Sequence, residues 1–206
     1  NKGENTNEIN SAIEQLKLAE KRRSIEAQYQ LGLTYLSGPL SIRNMDSAFN
    51  QFYLAANQGH SGAQNKLGFM YQKDSENDVD LKSALHWFRL SAQKGDPIGQ
   101  YNLSVFYKKG ISVKKDIETS LKWLRLSAEG GVAIAQYWLA QDYYNGINVK
   151  KDLIKAKEWY EKSALQGNKQ SQHDLGLIYY DGSGHSVDYK QALYWLELSA
   201  SQGHLY

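Results

Sequence analysis

A 36-residue period runs through this chain and constrains its fold more than any other feature. Read from Ala27, units begin at Ala27, Ala63, Gly99, Ala135 and Ser171, giving five units over 27–62, 63–98, 99–134, 135–170 and 171–206. The second residue of each is glutamine: Gln28, Gln64, Gln100, Gln136, Gln172. The fifth is leucine (Leu31, Leu67, Leu103, Leu139, Leu175) and the ninth tyrosine (Tyr35, Tyr71, Tyr107, Tyr143, Tyr179). Alanine recurs near the end of each unit (Ala56, Ala92, Ala128, Ala164, Ala200), followed by Gly59, Gly95, Gly131, Gly167 and Gly203. Trp87, Trp123, Trp159 and Trp195 fill one further register, where the first unit has Gln51. Registers that recur in every unit mark a tandem repeat.

The spacing inside a unit predicts two helices. Small residue, Leu, small residue and Tyr fall at i, i+4, i+5 and i+8, one face of a helix. The sixth position holds Gly32, Gly68, Ser104, Ala140 or Gly176, small enough for a second helix to approach closely. In the second half Ala156, Trp159, Tyr160, Ser163 and Ala164 again share one face. A glycine-bearing turn such as Asn145–Val149 separates the halves, and Asp80, Asp116, Asp152 and Asp188 stand where an N-cap belongs. One helical hairpin of this size cannot bury its own apolar faces, so the units must stack. The predicted fold is all-α, a right-handed α/α superhelical solenoid. Residues 11–19 resemble residues 83–91, so 9–26 read as the second helix of a partial N-terminal unit. Residues 1–8 are polar and expected to be a disordered tail. At the other end, Leu205 and Tyr206 either cover an exposed face or mark a natural chain that continues, and we expect the longer chain.

Composition narrows the chemistry. With 24 Lys and Arg against 22 Asp and Glu, a net charge of +2 does not fit a nucleic-acid or membrane-surface binder. No apolar run approaches the roughly 18 residues of a membrane span. Zero cysteines exclude disulfides, thiolate metal sites and cysteine nucleophiles. His60, His86, His173, His185 and His204 are scattered, and no metalloprotease, nucleophile-elbow or P-loop motif occurs. Gly182-Ser183-Gly184-His185 lies in an inter-helix turn and reads as a lengthened loop. The acidic run Asp74–Asp80 has Val79 and Leu85 where a calcium loop needs Gly and Glu, so it reads as a solvated turn. Lys114-Lys115 and Lys150-Lys151 are basic pairs in equivalent turns. The sequon Asn102-Leu103-Ser104 has its leucine in the core register, which argues against glycosylation. We expect no catalytic residues, no metal and no cofactor.

The arrangement A-x-x-x-L-G-x-x-Y, then G-x-x-V-x-x-D, then K-A-x-x-W-Y-x-K-A-A-x-x-G resembles the Sel-one-like repeat, a relative of the tetratricopeptide repeat. It is fullest at Ala135, Leu139, Tyr143, Gly146, Val149, Asp152, Lys155, Ala156, Trp159, Tyr160, Lys162 and Gly167. The resemblance implies a non-catalytic bacterial scaffold that binds a protein or peptide, exported to the periplasm or cell envelope, with a cytoplasmic location left open. Its most specific form would be a monomeric immunity protein that inhibits a secreted effector enzyme such as a phospholipase. An adaptor for extended peptides or host-cell receptors is the alternative, and an envelope hydrolase a remote one.

Positions present in every unit cannot define a unique site and are assigned to the core. The repeated glutamine is expected to bond backbone across the helix junction, with an exposed binding ladder as the alternative. Positions three, seven and ten form a stripe beside the core face, which in tetratricopeptide-like stacks lines the concave groove. The stripe reads Tyr29, Leu33, Leu36; Asn65, Phe69, Gln72; Tyr101, Val105, Lys108; Tyr137, Gln141, Tyr144; His173, Leu177, Tyr180. Lys73, Lys109, Asn145 and Asp181 follow at the next position. From these, Tyr29, Asn65, Gln72, Lys73, Tyr101, Lys108, Lys109, Tyr137, Gln141, Tyr144, His173 and Tyr180 are the expected partner-binding residues. Tyrosine, lysine and amides together are the composition of a protein-binding surface.

Overall fold

A computed structural model describes residues 11, 13–18, 21, 24–73, 77–184 and 186–203. The expected tail 1–8, most of the acidic run (Asp74, Ser75, Glu76), His185, His204, Leu205 and Tyr206 lie outside the described residues. Among the described residues all regular structure is helical. The helices are α1 (Ile25–Ser37), α2 (Met45–Asn57), α3 (Ser61–Lys73), α4 (Asp78–Gln93), α5 (Pro97–Lys109), α6 (Ile117–Glu129), α7 (Ala133–Asn145), α8 (Leu153–Leu165), α9 (Lys169–Asp181) and α10 (Tyr189–Ser201). Residues 13–18 are also helical, with Ile13 buried. The chain divides into two compact units, Asn1–Gly99 and Gln100–Tyr206. In the first, α1 packs on α2, α2 on α3 and α3 on α4; in the second, α6, α7, α8, α9 and α10 each pack on the next.

Odd-numbered helices are the first of each hairpin, and they begin two residues before the unit starts read from the period. Ser24 caps α1, and the residue after the repeated glycine supplies a side-chain cap to α3, α5 and α9, though Val132 before α7 does not. Nδ1 of His60 accepts from the Ala63 N–H at 3.1 Å, Asp96 from Gly99 at 2.7 Å and Asn168 from Ser171 at 2.8 Å. That cap, together with stacking on Tyr29 at 4.2 Å, gives His60 a structural role. The glycine itself has φ between 74° and 90° in all five repeats. At Gly95, Gly131, Gly167 and Gly203 an added Cβ would meet nothing within 4 Å, so the left-handed backbone alone demands glycine.

The second helices are capped by Asp116, Asp152 and Asp188, whose carboxylates accept from the backbone three residues on. Asp80 is not a cap: α4 starts at Asp78 and Asn77 caps it, bonding Val79 at 2.8 Å. In the first repeat Asn44 fills the aspartate role, bonding Ser47 at 2.8 Å. Among the described residues, four of the hairpins are closed at this cap. The N–H of Asn44, Asp116, Asp152 and Asp188 donates to the carbonyl of the repeated Tyr35, Tyr107, Tyr143 and Tyr179, at 2.9–3.0 Å. Those carbonyls lie in the last turn of the first helix and have no partner within it.

Side-chain bonds then fasten the two helices together along their length. Buried Ser91, Ser163 and Ser199 donate to the carbonyls of Ser61, Ala133 and Lys169, thirty residues earlier. Three of the repeated glutamines couple a hairpin to its predecessor within a unit. Nε2 of Gln64, Gln136 and Gln172 donates to the carbonyls of Ala56, Ala128 and Ala164 at 3.1 Å, in the last turn of the preceding helix, where each carbonyl also accepts from the N–H of the repeated glycine. Their oxygens, and that of Gln28, face the residue after the second helix. Gln58 donates to Gln28, Gln166 to Gln136 and Gln202 to Gln172, each at 2.7 Å. The buried-amide expectation therefore holds for these glutamines.

The core registers are filled as the spacing predicts, with two differences. Leu31, Leu67, Leu103, Leu139 and Leu175 are at most 1% exposed, and Ala56, Ala92, Ala128 and Ala164 at most 2%. Ala200 is exposed. The repeated tyrosines are half-buried rather than interior. Their rings border the core and their faces meet cations, with Lys155 5.5 Å from the Tyr143 ring centre and Lys157 4.7 Å from that of Tyr179. The small sixth residue receives the second helix: a Cβ on Gly32 would sit 2.6 Å from the Phe52 ring and one on Gly68 2.5 Å from the Phe88 ring.

Two stability measurements follow from this packing. Phe88 is fully buried and cannot retreat, so Gly68→Ala should cost about 1–3 kcal/mol in chemical denaturation. A cost near zero would show that the close approach is not constraining. In the second repeat Lys94 stands where Gln58, Gln166 and Gln202 donate, and the buried oxygen of Gln64 has no partner among the described residues. Lys94→Gln should supply the missing donor and add about 1 kcal/mol. A melting curve identical to the parent's would refute the glutamine pair as a source of stability.

Candidate functional site

The stripe expected to bind a partner is divided between the two units. In the first, Tyr29 is half-buried between His60 and Phe52, Gln72 is half-buried and Lys73 is exposed. Asn65 is only 4% exposed, which removes its side chain from any contact surface.

In the second unit Gln141 is committed to the protein itself. It donates to Asp174 at 2.7 Å and to the Tyr137 hydroxyl at 3.2 Å, and accepts from Asn145 at 2.9 Å. Tyr137 and Tyr144 pack on the buried Tyr160 ring, with centroids 6.2 and 6.4 Å away. His173 is half-buried beside Asp174 at 3.1 Å, and Tyr180 is 56% exposed, edge-on to Tyr189. These residues mostly hold neighbouring helices together.

Tyr101, Lys108 and Lys109 converge differently. With Ser104, Val105, Ser120, Leu124 and Trp138 they line a cavity of about 220 Å³ among α5, α6 and α7. The wall is apolar. Its two serines are already satisfied, Ser104 by the Tyr101 carbonyl at 2.6 Å and Ser120 by the Ser104 carbonyl at 2.8 Å. Trp138 is 40% exposed, and the Lys108 ammonium lies 5.1 Å from its ring centre. Burial pushes the Tyr101 phenol up, opposed by a hydrogen bond with the Trp138 indole. An apolar cup with a tyrosine, a tryptophan and two ammonium groups at its rim can bind a side chain. It holds no arrangement of nucleophile, base and oxyanion donors.

Behind the cavity Asp142 is 6% exposed, and burial raises its carboxyl above the ordinary range against the pull of Lys108, Asn148 and Arg125. Neither Trp138 nor Asp142 was expected at the site. The available signal was a break in register. Trp138 occupies a position that is Gln30, Lys66, Asn102 and Asp174 elsewhere, and Asp142 one that is Thr34, Met70, Phe106 and Ile178. Among the described residues no group of three or more His, Cys, Asp and Glu could hold a metal, and no helix is long and apolar enough to cross a membrane. The sequon asparagine Asn102 is buried.

The Sel1 repeat, as a family, matches residues 25–60, 61–96, 97–132, 133–168 and 169–204. Among solved structures, a Sel1 repeat protein from Oxalobacter formigenes is 34% identical with a TM-score of 0.85, over 93% of this chain and 56% of its own. The protective antigen c5321 of uropathogenic Escherichia coli strains, which displays an SLR fold, is also 34% identical, with a TM-score of 0.75 over 93% of this chain and 41% of its own. This chain thus spans about half the length of those two proteins. The immunity protein Pa5087 of Pseudomonas aeruginosa shares the fold at 20% identity and a TM-score of 0.61, over 92% of this chain and 72% of its own. No curated protein matches the chain. Five contiguous matches, each spanning one helical hairpin, establish that the chain belongs to the Sel1 repeat family.

Proposed function

We propose that the protein is a non-catalytic scaffold that binds a protein partner through the Tyr101–Lys108–Trp138 cavity, and that it acts as an immunity protein against a secreted effector enzyme such as a phospholipase. One observation carries the binding reading. The described polar side chains at the repeated positions are largely spent on holding the array together, while this cavity leaves an aromatic-lined apolar surface open beside two exposed lysines. Aromatic and cationic groups around a small desolvated cup are what anchor protein interfaces. A scaffold of hydrogen-bonded hairpins loses little conformational freedom on binding, which favours tight inhibition. The fold shared with Pa5087, itself an immunity protein, supports the inhibitory form of the proposal. On this reading the protein acts in the bacterial periplasm or envelope as a monomer until it meets its target.

Titration calorimetry with a candidate secreted hydrolase, sought first among the products of the adjacent genes, tests the proposal, alongside assay of that enzyme's activity. Binding should be stoichiometric and should abolish activity. Tyr101→Ala with Trp138→Ala should weaken binding by about 2 kcal/mol or more, as central anchors do. Changing Lys114, Lys115, Lys150 and Lys151 to Ser should alter mainly the association rate and its salt dependence. Affinity lost in the lysine set and kept in the aromatic pair would move the site to the turns. Failure to inhibit would end the immunity reading.

A further inference from the structure

The cavity exists because the third repeat lacks a ring that its neighbours possess. The second helix presents Phe52 in the first repeat, Phe88 in the second and Tyr160 in the fourth, each at most 1% exposed. Each ring meets an aromatic residue of its own first helix. Tyr29 lies 5.9 Å from Phe52, Phe69 lies 5.4 Å from Phe88 and Tyr137 lies 6.2 Å from Tyr160. Leu124 holds this position in the third repeat, opposite Ser104 rather than glycine. Tyr101, the counterpart of Tyr29 and Tyr137, borders Leu124 and the open cavity instead of a ring. The fifth repeat also carries a leucine there, but Gly176 closes on it: an added Cβ would stand 2.7 Å from Leu196. Ser104 prevents that closure in the third repeat.

The space left is the size of the group that is missing. A cavity of about 150 Å³ accommodates benzene, and this one is about 220 Å³. Trp138, hydrogen-bonded to Tyr101, lines the same cavity, so an entering ring would meet both aromatic side chains. Charge restricts what carries that ring. Lys108 and Lys109 are exposed at the rim, and none of the eight lining residues is acidic. Asp142 draws on Lys108 from behind the cavity but is buried and does not line it.

We propose that the cavity receives an aromatic side chain from an internal segment of the protein partner, with a carboxylate side chain next to it in sequence. The ring completes the aromatic pair that the third repeat lacks, and the carboxylate meets Lys108. This rests on the binding reading above and specifies the chemistry of the partner at that site.

Blocked peptides test the cavity without the natural partner. The full chain is titrated with acetyl-Gly-Asp-Phe-Glu-Gly-amide, with its Phe-to-Ala counterpart, and with the neutral acetyl-Gly-Asn-Phe-Gln-Gly-amide, following the Trp138 indole N–H by NMR and heat by calorimetry. The first peptide should bind about tenfold or more tighter than the alanine version, the loss expected of an anchor side chain. It should lose most of its advantage over the neutral peptide in Lys108→Ser. Leu124→Phe should fill the cavity from within, raising the melting temperature and abolishing peptide binding. Trp138→Ala removes one wall from the surface and should weaken binding even if Leu124→Phe does not fold. Equal binding of the Phe and Ala peptides, or undiminished binding in a folded Leu124→Phe protein, would overturn the proposal. So would acetyl-Gly-Asp-Phe with a free carboxylate binding about tenfold tighter than the blocked peptide, since the cavity would then read a chain terminus. If the peptides fail while Tyr101 and Trp138 still govern affinity for the hydrolase, this inference falls and the scaffold reading stands. The reverse result removes the immunity target and leaves the ring pocket.

Discussion

The amide of Gln136 donates to the Ala128 carbonyl of the preceding helix while its oxygen accepts from Gln166, at the far end of its own hairpin. One buried side chain thus joins three helices, and Gln172 repeats the arrangement. The energetic logic lies in the helix ends. Each helix leaves carbonyls without intrahelical partners in its last turn, and close stacking of hairpins would bury some of them dry. An amide has both the donor to satisfy that carbonyl and an acceptor that needs a donor in return. The alanine that presents the carbonyl must be small for the glutamine to reach it, and the glycine that follows must turn left-handed to start the next helix. The repeated Gln, Ala and Gly are therefore parts of one device. Leucine packing adds apolar burial along it but does not set its register.

Because that device is repeated, positions that depart from it are conspicuous. Lys94 in place of glutamine leaves an acceptor unmet inside the first unit. In the second unit the departures cluster: Leu124 where neighbours have rings, Ser104 where most have glycine, Trp138 where others are polar and Asp142 where most are apolar. Each alone would be tolerable variation. Leu124, Ser104 and Trp138 border one volume with Asp142 behind it, and Lys108 links them, over the Trp138 ring and near the Asp142 carboxyl. A repeat array buries its shared residues to stand up and keeps its recognition chemistry in the exceptions.

Half-burial has a functional consequence as well. Tyr101, Tyr137 and Tyr144 have similar sequence positions but different surroundings. Tyr137 and Tyr144 spend their faces on Tyr160, whereas Tyr101 has Leu124 at the equivalent position and stands against a cavity. A tyrosine fixed by packing on one side and open on the other offers contact area with little rotamer entropy left to lose on binding.

How much of this was legible beforehand depends on which physical quantity decided each feature. Periodicity placed the leucines, small residues and terminal glycines, because helical geometry alone assigns them to one face or one turn. It also implied that the repeated glutamines bond backbone, since a buried amide has few alternatives. It misplaced Asp80, because α4 begins earlier than its counterparts and Asn77 takes the cap. It put Asn65 on a surface, because one helix's periodicity does not say how far the next helix reaches over its edge. The cavity was beyond it altogether. A void is a difference between the volumes of side chains from three helices, and Leu124 reads as an unremarkable apolar residue until the rings of Phe52, Phe88 and Tyr160 show what should fill that place. The sequence by itself determined the repeat, its two helices and its core registers, because these follow from local geometry. Only the tertiary structure decided where packing fails to close, because that depends on distances between helices that no single repeat contains.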